Sequence, residues 1–239
     1  MKKKVIVTGC AGFIGSNLVD LLLKKNFSVL GIDNLSTGHL RNLDDANKNK
    51  NFHFVKFDLL NIKKIKNLFK NIDMVFHLAA NADVRYGIDN PKKDLEQNTI
   101  VTFNILESMR VNGVKKIIFS STGSIYGETS IIPTPENVEF PIQTSFYGAS
   151  KLACEGLIQA YCDHYNFKSW IFRFVSILGE RYSHGHVYDF YKKLLKNNNS
   201  LSVLGNGKQK KSYLNIKDCL RAIMIAIRKS PKKVNIYNL

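Results

Sequence analysis

Near the amino terminus, Lys4-Val5-Ile6-Val7-Thr8 runs directly into Gly9-Cys10-Ala11-Gly12-Phe13-Ile14-Gly15, after which Phe13, Ile14, Leu18, Leu21 and Leu22 recur at helical spacing. The first run predicts a short buried strand and the periodic stretch a helix from Gly12 to Lys25. Three glycines between a strand and a helix leave few folds open. They allow a tight turn, close approach of backbone to a pyrophosphate, and close packing of helix on strand, while the helix start offers N–H groups to phosphates. Gly-x-x-Gly-x-x-Gly alone is a weak signal, but at the first strand-to-helix turn it assigns Gly9, Gly12, Phe13, Ile14 and Gly15 to a dinucleotide.

A second strand, Ser28–Ile32, ends in Asp33, where a carboxylate accepts from ribose hydroxyls and repels a 2'-phosphate, so NAD is expected over NADP. Asn34-Leu35-Ser36-Thr37-Gly38 opens a polar loop reaching about Lys50, expected to be mobile. The third strand, Phe52–Phe57, closes on Asp58 and Leu59, and an acid there could take the adenine amino group. After a helix at 61–70, Asp73–Ala80 forms a fourth strand whose end, Leu78, Ala79 and Ala80, is small enough for a cofactor to lie against it. His77 reads as a packed strand-end histidine, since no metal partners lie at useful spacing. Lys92–Val111 is a long helix carrying Asn98. The fifth strand, Lys115–Ser120, runs into Ser121-Thr122-Gly123-Ser124-Ile125-Tyr126-Gly127. A loop with Pro133, Pro135 and Pro141 leads to a helix from Tyr147 and a sixth strand, Lys168–Phe174. Strand and helix in alternation predict an α/β chain, a Rossmann-type doubly wound parallel sheet over residues 1–174, with a smaller, incomplete substrate lobe over 175–239.

Tyr147-Gly148-Ala149-Ser150-Lys151 places a phenol and an ammonium one helical turn apart on one face. A cation there favours the phenolate; a tyrosine of ordinary pKa, about 10, needs such an ammonium, or with it a bound cationic cofactor ring, to act as a base near neutrality. The same spacing occurs at Tyr188/Lys192 and Tyr213/Lys217. Only Tyr147 and Lys151 follow a hydroxyl-rich strand end, and that selects them.

The formal charge of +16 is carried by scattered lysines, with no aromatic-interleaved basic strand or recognition helix, so no nucleic-acid partner is expected. Cys10, Cys154, Cys162 and Cys219 form no C-x-x-C pair, which argues against zinc or a disulfide framework and suits a reducing cytoplasm. The basic start is followed by an apolar stretch broken at Thr8, Gly9 and Gly12, so neither an export segment nor a membrane span is expected.

Taken in order, Val7–Gly15, Asp33–Gly38, His77–Ala80, Tyr126-Gly127 and Tyr147–Lys151 resemble the extended short-chain dehydrogenase/reductases, and within them NAD-dependent epimerases of the UDP-glucose 4-epimerase type. The resemblance implies bound NAD, a nucleotide-diphosphate sugar as substrate, and a catalytic set of Thr122, Tyr147 and Lys151. Tyr147 would take the 4-hydroxyl proton while hydride leaves C4, Lys151 would hold the nicotinamide ribose and lower the Tyr147 pKa, and Thr122 would bond the reacting oxygen. Asn34, Asp58, Leu59, Leu78, Ala79, Ala80, Asn98, Ser120 and Val175 complete the implied cofactor set. The family's 4,6-dehydratases carry an Asp-Glu pair after the strand-end hydroxyl. Gly123 and Ser124 stand there in this chain, which disfavours elimination.

Some positions depart from the pattern. Ser176 replaces an asparagine expected at the substrate, and Lys211 an arginine that clamps the diphosphate, so the contact becomes a point charge; Arg181 or Lys210 could compensate. Leu201–Gly207 and Ser212–Asp218 match the substrate-binding half. Family members continue for several tens of residues past Val234–Leu239, so a truncated or reduced lobe is expected. Two alternatives stay open: a nucleotide-sugar reductase, and an NAD-binding protein without catalysis. The helices from Lys92 and from Tyr147 also resemble those that pair in family homodimers.

Overall fold

The computed structural model describes residues 2–139, 142–183, 185–203 and 205–239, with the side chain of Arg85 left aside. Pro141 of the expected proline-containing loop and Leu204 of the expected substrate half lie outside the described residues.

Strands β1 (Lys4–Thr8), β2 (Ser28–Asp33), β3 (Phe52–Lys56), β4 (Met74–His77), β5 (Lys116–Thr122) and β6 (Lys168–Phe174) form as the apolar runs require. A short pair, β7 (Ser176–Leu178) and β8 (Tyr213–Asn215), is separate, and β9 (Val234–Asn238) closes the chain. The main sheet has the order β3-β2-β1-β4-β5-β6-β9, and every pairing is parallel. The order reverses between β1 and β4, where a doubly wound sheet opens a crevice at its carboxyl edge.

Both sheet faces are buried, so successive side chains enter different cores. Val5 and Val7 pack beneath the Phe13–Lys24 helix, with Leu18 and Leu22. Ile6 faces the opposite side, shared with Ile105 of the Val101–Val111 helix and Ile158 of the Phe146–Tyr165 helix. Each element is thus placed by apolar area removed from water, at roughly 25 cal/mol per Å².

Four expectations are amended. The fourth strand stops at His77, freeing Leu78–Ala80 to face the crevice. The helix expected from Lys92 is interrupted by a π-helical turn at Leu95–Ile100. The loop after Asp33 contains a 3₁₀ turn, Leu40–Leu43, and a helical turn, Asp44–Asn47, anchored by fully buried Leu43 and by Ala46. Asn42 Nδ2 and His39 N both donate to Ala11 O there. Finally, residues 175–239 do not stand apart as one lobe. The Ile216–Lys229 helix buries Ile216, Cys219, Leu220 and Ile223 in the first core, and β9 extends the main sheet beside β6. What lies outside the sheet is β7, β8 and the His186–Lys196 helix, which buries none of its residues.

Candidate functional site

The glycine turn is built as its spacing demands. Gly9 has φ +68, and a Cβ there would meet Ala79 N at 2.8 Å; a Cβ on Gly15 would meet Gly9 O at 2.0 Å. The helix that follows starts at Gly12 with no side-chain cap and no acid in its first turn. Its N–H groups and the positive end of its dipole are therefore left for an anion. Asp33, 8% exposed at the end of β2, accepts from Ala11 N (2.9 Å) and Leu35 N (2.8 Å), one bond to each carboxylate oxygen. A lone pair on each oxygen remains for a ribose hydroxyl.

A cleft of about 620 Å³ runs along the carboxyl edge of the sheet, from Gly9–Gly15 and Asp33–Asn34 past Leu78–Ala80 to Ser120, Thr122, Tyr147 and Lys151. Val175, Ser176 and the exposed Lys211 line it further on. Along β5 the side chains alternate. Phe119 and Ser121 face the Phe146–Tyr165 helix, where Ser121 Oγ donates to Glu155 and the Lys151 ammonium lies 4.6 Å from the Phe119 ring centre. Ser145 caps that helix, its hydroxyl accepting from Gly148 N at 2.9 Å, which fixes the helix start and with it Tyr147.

Tyr147 is partly buried and lines the cleft with Thr122. Burial pushes its pKa up to about 12, outweighing the Thr122 hydroxyl, which pulls it down. Burial also pushes Lys151 down, to about 8. Lys151 is 2% exposed and its Nζ donates to Ser120 O at 2.7 Å. Both groups share a poorly solvated site and the ammonium is directed at a carbonyl, so burial dominates the ionisation of each. Thr122 Oγ1 also accepts from Ser124 N at 3.1 Å, closing the Gly123–Tyr126 turn.

Two predicted residues fall outside the cleft wall. Asp58 is exposed, and its Oδ1 accepts from Leu60 N at 2.9 Å, a local turn that directs the carboxylate away while Phe57 and Leu59 line the cleft. Asn98, 1% exposed, sits behind the site: its amide donates to Ser150 Oγ at 2.9 Å and its Oδ1 accepts from Asn81 N at 2.8 Å. Arg181 pairs with Asp20 at 2.7 Å, and of the three bases weighed for a diphosphate only Lys211 lines the cleft. Sequence reasoning missed Tyr182, His186 and Asp189, which line the far wall. They follow no motif. Ring packing of Tyr182 on Phe13, 5.5 Å between centres, brings this segment over the glycine turn.

This arrangement defines a class: a dinucleotide-binding α/β protein with a tyrosine, a lysine and a threonine gathered at the next strand end. More narrowly, the chain belongs to the NAD dependent epimerase/dehydratase family, which residues 5–239 match. It is 33% identical over 230 residues to a UDP-glucose 4-epimerase of Mycolicibacterium smegmatis, a match covering 93% of this chain and 72% of that protein. A UDP-glucose 4-epimerase of Thermus thermophilus, solved in complex with NAD, superposes with a TM-score of 0.85 at 33% identity, covering 98% of this chain and 76% of that one. A dTDP-glucose 4,6-dehydratase of Streptomyces venezuelae, also solved with NAD, gives a TM-score of 0.91 at 25% identity, covering 98% and 74%. NAD is the cofactor of this family, and the glycine cradle, the uncapped helix and Asp33 fit it. Among the described residues, no helix is long and apolar enough to cross a membrane.

Proposed function

We propose that this chain is an NAD-dependent nucleotide-sugar 4-epimerase of the UDP-glucose/UDP-galactose type, working through a transient 4-keto sugar. The observation that carries this reading is the assembly of Thr122, Tyr147 and Lys151 at the end of β5 without a carboxylate in the Gly123–Tyr126 turn beside them. Carboxylates do line the cleft at Asp33, Asp83 and Asp189, but on other elements. Epimerisation at C4 needs one proton removed and returned at one oxygen; elimination needs a further acid and base at the neighbouring carbons.

Gly9, Gly12, Gly15 and Asp33 would hold NAD, which when bound would supply the hydride acceptor for C4 and the donor for its return. Tyr147 takes the proton of the 4-hydroxyl, and Thr122 hydrogen-bonds the same oxygen. Burial holds Tyr147 at about 12, and positive charge beside it, that of Lys151 and of an oxidised nicotinamide, would ease its ionisation. Lys151 spends one N–H on Ser120 O and keeps two for the nicotinamide ribose. Ser176 and Lys211 contact the sugar and the diphosphate. The chain pairs as a homodimer through the Val101–Val111 and Phe146–Tyr165 helices, a reading supported by Phe103, Val111 and Tyr165, which stand 39%, 48% and 43% exposed.

Purified protein should release NAD on denaturation and interconvert UDP-glucose and UDP-galactose with no cofactor added, and Tyr147→Phe should hold NAD and turn nothing over. Bound NAD with no turnover of any nucleotide sugar by the unaltered protein sinks the epimerase reading. Stoichiometric consumption of NADH or NADPH replaces it with a reductase.

A further inference from the structure

His77 has no part in the chemistry proposed above, yet it sits 1% exposed at the end of β4, next to the cleft-lining Leu78–Ala80. Its two ring nitrogens each meet a hydroxyl: Nδ1 lies 2.8 Å from Thr8 Oγ1, and Nε2 3.0 Å from Thr102 Oγ1. The direction of each bond follows from the far end of the chain. Thr102 donates its single hydroxyl proton to Asn98 O at 2.7 Å, so Nε2 must carry hydrogen and donate to Thr102. Burial, reinforced by the nearby Lys151 ammonium, holds the imidazole well below its usual pKa and therefore neutral. Nδ1 is then bare and takes the Thr8 hydroxyl proton. This turns the Thr8 lone pairs toward the backbone N–H groups of Leu78 and Ala79, each 3.2 Å away.

We propose that His77 is a positioning residue for the dinucleotide: through the Thr8 hydroxyl it fixes the Leu78–Ala79 backbone against Gly9. Contact between these segments has no slack, since a Cβ on Gly9 would meet Ala79 N at 2.8 Å and Leu78 C at 2.9 Å. Both segments line the cleft. Leu78 N has a second acceptor in Thr8 O at 3.3 Å, which makes Ala79 the more dependent donor. Turned by half a rotation, the Thr8 hydroxyl would present its hydrogen to those N–H groups, and Ala79 would shift within a floor made of backbone.

This inference rests on NAD as cofactor and not on the epimerase reading, so its readouts are NAD affinity and the thermal midpoint of the cofactor-free protein. His77→Asn keeps an acceptor near Nδ1 and gives up Thr102. His77→Gln reaches toward Thr102 and leaves Thr8 without its acceptor, and His77→Phe fills the space with neither. Thr8→Val removes only the hydroxyl, and it decides the matter should the His77 replacements not fold. We expect His77→Asn to bind NAD nearly as the unaltered protein does, and Gln, Phe and Thr8→Val to bind about tenfold more weakly, as for one buried hydrogen bond lost. Equal loss in Asn and Gln, unchanged affinity in Thr8→Val, or affinities that merely follow the thermal midpoint would overturn the proposal.

Discussion

Replacing Lys151 by methionine should stabilise the cofactor-free protein while removing its chemistry. Desolvation brings the Lys151 pKa from 10.5 down to about 8, against opposing attraction from Cys154, Glu155 and Asp94. Its folded pKa lies below its unfolded one, so between these values the unfolded chain binds more protons than the native state. The penalty is nearly complete at pH 7 and is relieved as pH rises from about 8 to 10.5. At about 1.4 kcal/mol per tenfold change in proton affinity it amounts to roughly 3 kcal/mol. Methionine matches the length and carries no charge, but the Ser120 carbonyl loses its donor, costing about 1 kcal/mol. The net gain is about 2 kcal/mol at pH 7, or about 4–8 °C in Tm for a chain of this size. Urea unfolding followed through Trp170, the single tryptophan and 2% exposed, measures it at pH 7 and pH 10. By pH 10 the advantage should have vanished. A variant less stable than the parent at pH 7, or a difference indifferent to pH, refutes the reasoning.

Gly15→Ala sets a methyl 2.0 Å from Gly9 O, so the turn must open and NAD should be lost on dialysis; retention of stoichiometric NAD would contradict the cradle. Glu155→Gln leaves Arg173, 8% exposed, without the carboxylate that it contacts at 2.8 Å, and denaturant titration should show a loss of about 3–5 kcal/mol. Asp33→Asn removes the charge set against a 2'-phosphate. Equilibrium titration with both dinucleotides should find the preference for NAD over NADP narrowed, and an unchanged ratio would place the discrimination elsewhere.

Much of the site could be read in the chain because it is made of local events. Gly9, Gly12 and Gly15 are required by a turn and a helix start within seven residues, and β1 to β6 announce themselves as apolar runs whose carboxyl ends carry Asp33, Ala79 and Thr122. A strand's end and its next turn are set by neighbours in sequence, so their order along the chain already placed these residues on one edge of a parallel sheet. Only tertiary packing decided the rest. Nothing near β9 in sequence tells it to pair with β6, some sixty residues away; that register came from long-range hydrogen bonds and the core beneath the Ile216–Lys229 helix. Asp58 turned to its own backbone and Asn98 to Ser150, because side-chain direction follows the nearest unsatisfied partner. The spacing of Tyr147 and Lys151 predicted a cation that eases the tyrosine's ionisation. Burial, which no spacing reports, instead raised the one and lowered the other.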